Sequence, residues 1–246
     1  MSPARRKKST RPARRPGLLD RMAGLLRWLR RWLLRGALLL AVLITAWIGL
    51  YSAVNPPGGI YMWQEYRRLG AVSHEWVSMR RIAPVMARSA VAAEDANFCT
   101  HWGFDMAAIR TAIDAGGARG ASTISQQTVK NVFLWHGRDW TRKALEAAIT
   151  PVMETFWPKR RVLEVYLNIA EFDTGVFGVQ AAAQHYFNTD AAQLTAMQAA
   201  LLAAALPAPQ SRNPAAPGDF LRRRAASIID GAATIQADGR ADCFSG

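Results

Sequence analysis

Three polar strings in the middle third of the chain carry residues able to do chemistry: Glu94-Asp95-Ala96-Asn97-Phe98-Cys99-Thr100-His101, Gly120-Ala121-Ser122-Thr123-Ile124-Ser125-Gln126-Gln127-Thr128-Val129-Lys130-Asn131, and Arg142-Lys143-Ala144-Leu145-Glu146. They supply two separated carboxylates, Glu94 and Glu146, and fixed cations, to which Arg138 adds another. A carboxylate can take the proton of an attacking sugar hydroxyl, and cations can receive the charge of a departing pyrophosphate. The set therefore meets the needs of inverting sugar transfer from a pyrophosphate. Taken singly, each string says less. Arg142, Lys143 and Glu146 share one helix face by their spacing, which equally describes an exposed ion-pair cluster. Gln126, Gln127 and Lys130 are, alone, only a polar face.

Such groups need a rigid frame, and the pattern beyond the first third is almost wholly helical, with no alternating run that reads as a strand. Residues 84–94 suit one helix. Asp105 caps a second to about residue 115, ended by Gly116 and Gly117, and Ser122 or Thr123 caps a third through residue 131. A longer helix from residue 139 towards 156 carries Glu146, and Pro151 should kink or divide it. Helices over residues 159–170 and 178–186 follow. Thr195-x-x-Gln198 makes a capping box for an Ala/Leu-rich helix stopped at Pro207, and residues 219–236 form the last helix. The fold class expected is all-α.

The 246 residues, half of them apolar, suffice for one sizeable core. The net charge of +13 is concentrated at one end. Residues 1–35 hold twelve Lys/Arg against Asp20 alone, and the rest of the chain, with nineteen basic and seventeen acidic residues, carries only +2. This excludes a nucleic-acid footprint on the folded part and reads as membrane topology. Residues 36–54 contain no charge and as a helix cover roughly 28 Å, enough to span a bilayer core. Positive-inside ordering puts the tail in the cytoplasm and everything after residue 54 on the far side. The run is long for a signal peptide and reads as an uncleaved anchor. Before it, Leu18, Leu19, Met22, Leu25, Leu26, Leu29, Trp32 and Leu33 make an apolar stripe between arginines. That stripe either lies on the inner leaflet or extends the membrane helix. The map expected is a basic tail with an amphipathic helix (1–35), an anchor (36–54), a stalk (55–77), a catalytic domain (78–237) and a C-terminal tail (238–246).

Cys99 and Cys243 are the only cysteines. Two free thiols are the default expectation, although an oxidising compartment would permit a pair. Neither they nor His74, His101, His136 and His185 show metal-ligand spacing, so no metal site is expected.

In this order and spacing the strings resemble the peptidoglycan glycosyltransferases, the membrane enzymes that polymerise lipid II into glycan strands. Lys130, Arg138 and Glu146 follow one another at intervals of eight residues, as do that family's lysine, an arginine and its second glutamate. Residues 159–168 (Lys-Arg-Arg-Val-Leu-Glu-Val-Tyr-Leu-Asn) look like its fourth motif and residues 175–187 like its fifth. The resemblance covers residues 83–206, with Ala121, Ser125 and Pro151 as departures. It implies a lysozyme-like all-α domain behind a single N-terminal transmembrane helix. By position it implies Glu94 as the base, Lys130, Arg138 and Arg142 as the pyrophosphate clamp, and Ser122 and Gln127 as phosphate and sugar ligands. Asp95, His101, Asn131 and Lys143 take supporting places. Glu146 is essential, and orienting the cations, binding a divalent ion or assisting departure of the pyrophosphate all fit it. No cofactor is required by the sequence, with Mg or Mn as the divalent candidate. The partners implied are lipid II, the growing glycan strand, membrane lipid and proteins of cell-wall synthesis or division, with no nucleic acid. The location implied is the bacterial inner membrane, single-pass, with the catalytic domain periplasmic. No Ser-x-x-Lys occurs, so the chain is expected to lengthen glycan and crosslink nothing.

Two rivals fit parts of this pattern. A lysozyme-like muramidase would use Glu94 as general acid, but glycoside hydrolysis releases a neutral alcohol and needs no anion clamp. A non-catalytic cell-wall scaffold would need neither glutamate nor the lysine.

Overall fold

The stretch Gly24–Tyr51 is long and apolar enough to cross a membrane, with a mean hydropathy of 2.1. In the computed structural model, which describes residues 18–116, 122–137 and 139–245, it belongs to one unbroken helix, α1 (Leu18–Tyr51, 34 residues). Of the two expectations for the arginine-flanked stripe, the backbone takes the second: the stripe from residue 18 onward extends the apolar helix. The tail before residue 18 lies outside the described residues. Among the described residues, those from 18 to 46 form one compact unit and those from Trp47 onward another.

Within the second unit, the last carbonyls of α1 have no helical partners and must find donors. Arg161, buried in α7 (Lys159–Ile169), supplies them. It donates to Tyr51 O at 3.1 Å and Val54 O at 2.9 Å, and to Asn55 Oδ1 at 2.9 Å. Trp157 Nε1 donates to Ile48 O at 2.8 Å. The expected stalk is accordingly not a spacer. Residues 60–69 form α2 (Ile60–Leu69) and Ser73–His74 form β1. A Cβ at Gly59 would stand 1.6 Å from Asn131 O, so the chain approaches the later α5 (Ile124–Phe133) as only glycine allows. Asn168 closes the segment down: its Oδ1 accepts from Val77 N, and its Nδ2 donates to Val77 O and Glu164 O, each at 2.8 Å.

The remaining helices are α3 (Pro84–Glu94), α4 (Met106–Asp114), α5 (Ile124–Phe133), α6 (Trp140–Phe156), α8 (Val179–Phe187), α9 (Ala196–Ala205) and α10 (Asp219–Ala237). The sequence signals explain their starts. Asp105 caps α4 by accepting from Ala108 N, and Thr123 and Thr195 open α5 and α9 with complete capping boxes. Helix α9 is apolar all round and buried from Ala199 to Ala205, which makes it the axis of the core. Its alanines let α3 and α10 come close, and a Cβ on Gly231 of α10 would lie 3.3 Å from Ala92. A second layer sets α5 against α6 and α7.

Three findings correct the sequence reading. Short strands do occur: β2 (Glu171–Asp173) pairs antiparallel with β3 (Val176–Phe177), which pairs parallel with β1. Strands of two or three residues are too short to show alternation. Pro151 does not divide α6, which runs through it. The carbonyl it deprives belongs to Ala147, which faces solvent, so water can satisfy it. Finally, Cys99 and Cys243 are joined by a disulfide, with Cα atoms 5.6 Å apart. The expected C-terminal tail is part of the core here, because α10 returns the chain to the first polar string. Ala241 and Phe244 are buried, and the Phe244 and Phe98 rings lie 6.3 Å apart.

Candidate functional site

Helix α3 ends on Glu94, so this carboxylate is presented from the end of a rigid element with the first string turning away behind it. Asp95 fixes that turn. It is buried, its Oδ2 accepts from Ile124 N at 3.0 Å, and its Oδ1 pairs with His101 Nε2 at 2.8 Å. Since Ile124 is the first residue of α5, Asp95 both satisfies an orphan donor and meets the positive end of that helix. Thr123 Oγ1 donates to Gly103 O at 2.6 Å and closes the loop from the other side.

The amide of Gln127 on α5 reaches Glu94, with Nε2 donating to Oε2 at 2.8 Å. Its orientation is set by the buried Tyr166 of α7, whose hydroxyl donates to Gln127 Oε1 at 3.3 Å. Burial pushes the Glu94 pKa up, while the Gln127 hydrogen bond and the charges of Arg224, Arg212 and Lys130 pull it back. One turn beyond Gln127, Lys130 is pushed down by burial and by Arg142 and Lys143, and held up by Glu146 and Glu94.

Glu146 on α6 is 2 % exposed. One oxygen binds Arg142 Nη1 at 2.6 Å and the other binds Lys143 Nζ. Arg142 is fixed further, its Nε donating to Gly137 O at 2.8 Å and its backbone N–H to the capping Asp139 at 2.7 Å. Lys143 also reaches Ser122 Oγ at 3.3 Å. Both Glu146 oxygens are thus taken by cations, and no group of three His, Cys, Asp or Glu converges among the described residues.

Two clefts open on this array. A larger one of about 550 Å³ is lined by Gln127, Lys130, Asn131 and Tyr166, and a smaller one of about 270 Å³ by Glu94, Asp95, Ser122 and Thr123. The Gln127–Glu94 hydrogen bond joins their walls. Of the residues singled out in the sequence, Glu94, Asp95, His101, Gln127, Lys130 and Asn131 cluster around α5, and Ser122, Arg142, Lys143 and Glu146 gather at the start of α6. Arg138 lies outside the described residues. Trp102, Met106, Ile113 and Trp140 are exposed, whereas Phe104 is half-buried.

Sequence reasoning missed Tyr166 as the residue that orients Gln127, although its string was recognised. It also missed Arg212 and Arg224, whose charges act on Glu94, and Tyr61, His136 and Glu171, which line the larger cleft. Nothing local marks these residues. They come from segments that only the fold brings to α5.

This chain is similar to several known proteins. Residues 63–233 match the family described as Transglycosylase. A protein of Jannaschia sp. (strain CCS1) is 67 % identical over 206 residues, covering 84 % of this chain and 86 % of the relative. Proteins of Escherichia coli O127:H6 (strain E2348/69 / EPEC) and Shigella dysenteriae serotype 1 (strain Sd197) are each 48 % identical over 208 residues, covering 78 % of this chain and 85 % of theirs. All three relatives are named biosynthetic peptidoglycan transglycosylase.

Proposed function

The chain belongs to the transglycosylase family, and on that premise we propose how its residues polymerise lipid II into linear glycan strands. The strand is held with its terminal sugar α-linked to undecaprenyl pyrophosphate. The 4-hydroxyl of the GlcNAc in an incoming lipid II attacks the anomeric carbon from the opposite face. The new β-glycosidic bond forms as the bond to pyrophosphate breaks, the hydroxyl proton passes to Glu94, and undecaprenyl pyrophosphate departs with the electron pair. Burial raises the Glu94 pKa, which makes the carboxylate a stronger base for that proton.

Charge developing on the leaving group falls to Lys130 and Arg142, which favour the transition state because they are already in position, with Arg138, outside the described residues, as the third cation the motif supplies. Glu146 is read as the residue that orients cations, since one of its oxygens binds Arg142 and the other Lys143. Ser122, bonded to Lys143 just ahead of α5, suits a phosphate oxygen. Asp95 and His101 hold the first string, and Asn131 lines the cleft wall.

A single apolar N-terminal helix is consistent with a membrane anchor. We assign the N-terminus to the cytoplasm and the folded unit to the periplasmic side of the inner membrane. The twelve cations before the apolar run support this orientation, as does the Cys99–Cys243 disulfide, a bond that persists in oxidising compartments. Because the sequence contains no Ser-x-x-Lys, crosslinking falls to other proteins of cell-wall synthesis or division, which we count among the partners.

The observation that carries this reading is one half-buried carboxylate, Glu94, held by the amide of Gln127, which lines the neighbouring cleft together with Lys130. Incubation of the purified protein with labelled lipid II, followed by sizing of the products, tests it. Long, lysozyme-sensitive polymer is expected. Cleavage of preformed glycan without polymer would make the protein a hydrolase, and inactivity towards both would make it a scaffold.

A further inference from the structure

His136 has been given no part so far, yet its ring is held in place. It sits in the loop between α5 and α6 and lines the larger cleft with Lys130 and Gln127. The ring stacks on Tyr61 of α2, with centroids 3.9 Å apart and 29° between planes. Tyr61 is fixed in turn. Its hydroxyl donates to Glu171 Oε2 at 2.8 Å, and its ring meets the buried Phe177 edge-on at 5.7 Å. Glu171 is steadied by Gly175 N and Gln210 Nε2, each at 3.4 Å. Among the described residues, neither nitrogen of His136 has a hydrogen-bond partner. The charged groups facing it are Lys130 from α5, Arg142 from α6 and Glu65 from α2. A ring with free nitrogens, locked in one plane beside two cations on a cleft wall, is placed to receive an anion.

We propose that His136 is a substrate-binding residue that donates a hydrogen bond to the pyrophosphate of the lipid-linked substrate, with Tyr61 and Glu171 as the positioning residues that hold its ring. This rests on the polymerase reading for the identity of the pyrophosphate. Burial, Lys130 and Arg142 keep the free imidazole below its ordinary pKa, so at neutral pH it is uncharged and has one N–H to give. The segment directly after the anchor thereby becomes part of the substrate site.

Calorimetric titration of the full chain in detergent with farnesyl pyrophosphate tests this without requiring turnover. His136→Ala should weaken binding about tenfold, as expected for one hydrogen bond to a charged group. His136→Gln, which keeps an amide donor, should recover part of the loss. Tyr61→Ala should cost as much as His136→Ala, Tyr61→Phe should cost less because the stack survives, and His136→Ala combined with Tyr61→Phe should bind no worse than His136→Ala alone. Thermal unfolding of each variant separates loss of fold from loss of binding. Farnesyl pyrophosphate binding that is absent from the wild type, unchanged in His136→Ala, or reduced additively by the two substitutions would overturn the proposal. If binding depends on His136 but the wild type makes no polymer from lipid II, the polymerase reading fails and His136 stands as a pyrophosphate ligand alone. If polymer forms and binding ignores His136, this assignment fails alone.

Discussion

The Glu94 pKa answers to opposed effects, burial that favours the protonated acid and the Gln127 amide that favours the carboxylate. Gln127→Ala removes the second, so the Glu94 pKa rises further and the acid limb of kcat/KM moves to higher pH. A pH–rate profile checks this, and an unmoved limb would mean that the limb reports another group. Lys130 works in the opposite sense. In the proposed mechanism it must be protonated to meet the pyrophosphate, burial pushes its pKa down, and Glu146 holds it up. Glu146→Gln should therefore bring the alkaline limb to lower pH, together with a fall in kcat as Arg142 and Lys143 lose their shared partner. At this scale the sequence was informative about identity and silent about wiring. The interval from Lys130 to Glu146 marked both residues, but nothing in the string shows that Tyr166 turns Gln127 towards Glu94, because three separate helices have to meet first.

Elements position these residues through contacts distant in sequence. Asn168 is the clearest case, a buried amide with both ends engaged that ties the segment before α3 to α7. Asn168→Ala would strand the backbone N–H and C=O of Val77 in the interior, and a loss of about 3 kcal/mol is expected in chemical denaturation. The disulfide has a different origin. It closes a loop of 144 residues between the first polar string and the end of α10, so Cys243→Ser should destabilise the protein by about 2–5 kcal/mol, with reductant reproducing the effect in the wild type. Helix starts were legible because Asp105, Thr123 and Thr195 are local signals, each a side chain bonding an N–H three residues on. The stalk was misread because Gly58 and Gly59 look like a spacer in isolation. What makes them structural is the approach to Asn131, more than seventy residues later. Free thiols were expected for the same reason, since sequence separation says nothing about where α10 returns.

The whole molecule combines a charged, apolar N-terminus with a nearly neutral helical unit, and this asymmetry was readable from composition alone. A lipid-linked substrate confines the chemistry to the membrane surface, where an anchored enzyme meets both donor and acceptor. Fusion of an enzyme active only in the periplasm to the C-terminus should give activity in cells, and the same fusion to the N-terminus should not. The central claim is that Glu94 removes the proton of the attacking hydroxyl in a polymerase. The most direct test is the initial rate of polymer formation from lipid II by Glu94→Gln and wild type at one pH, with farnesyl pyrophosphate binding measured on the same preparations. The account predicts a loss of at least about a hundredfold in rate, the scale of general-base catalysis, with binding retained. A variant that polymerises within threefold of the wild type would contradict it.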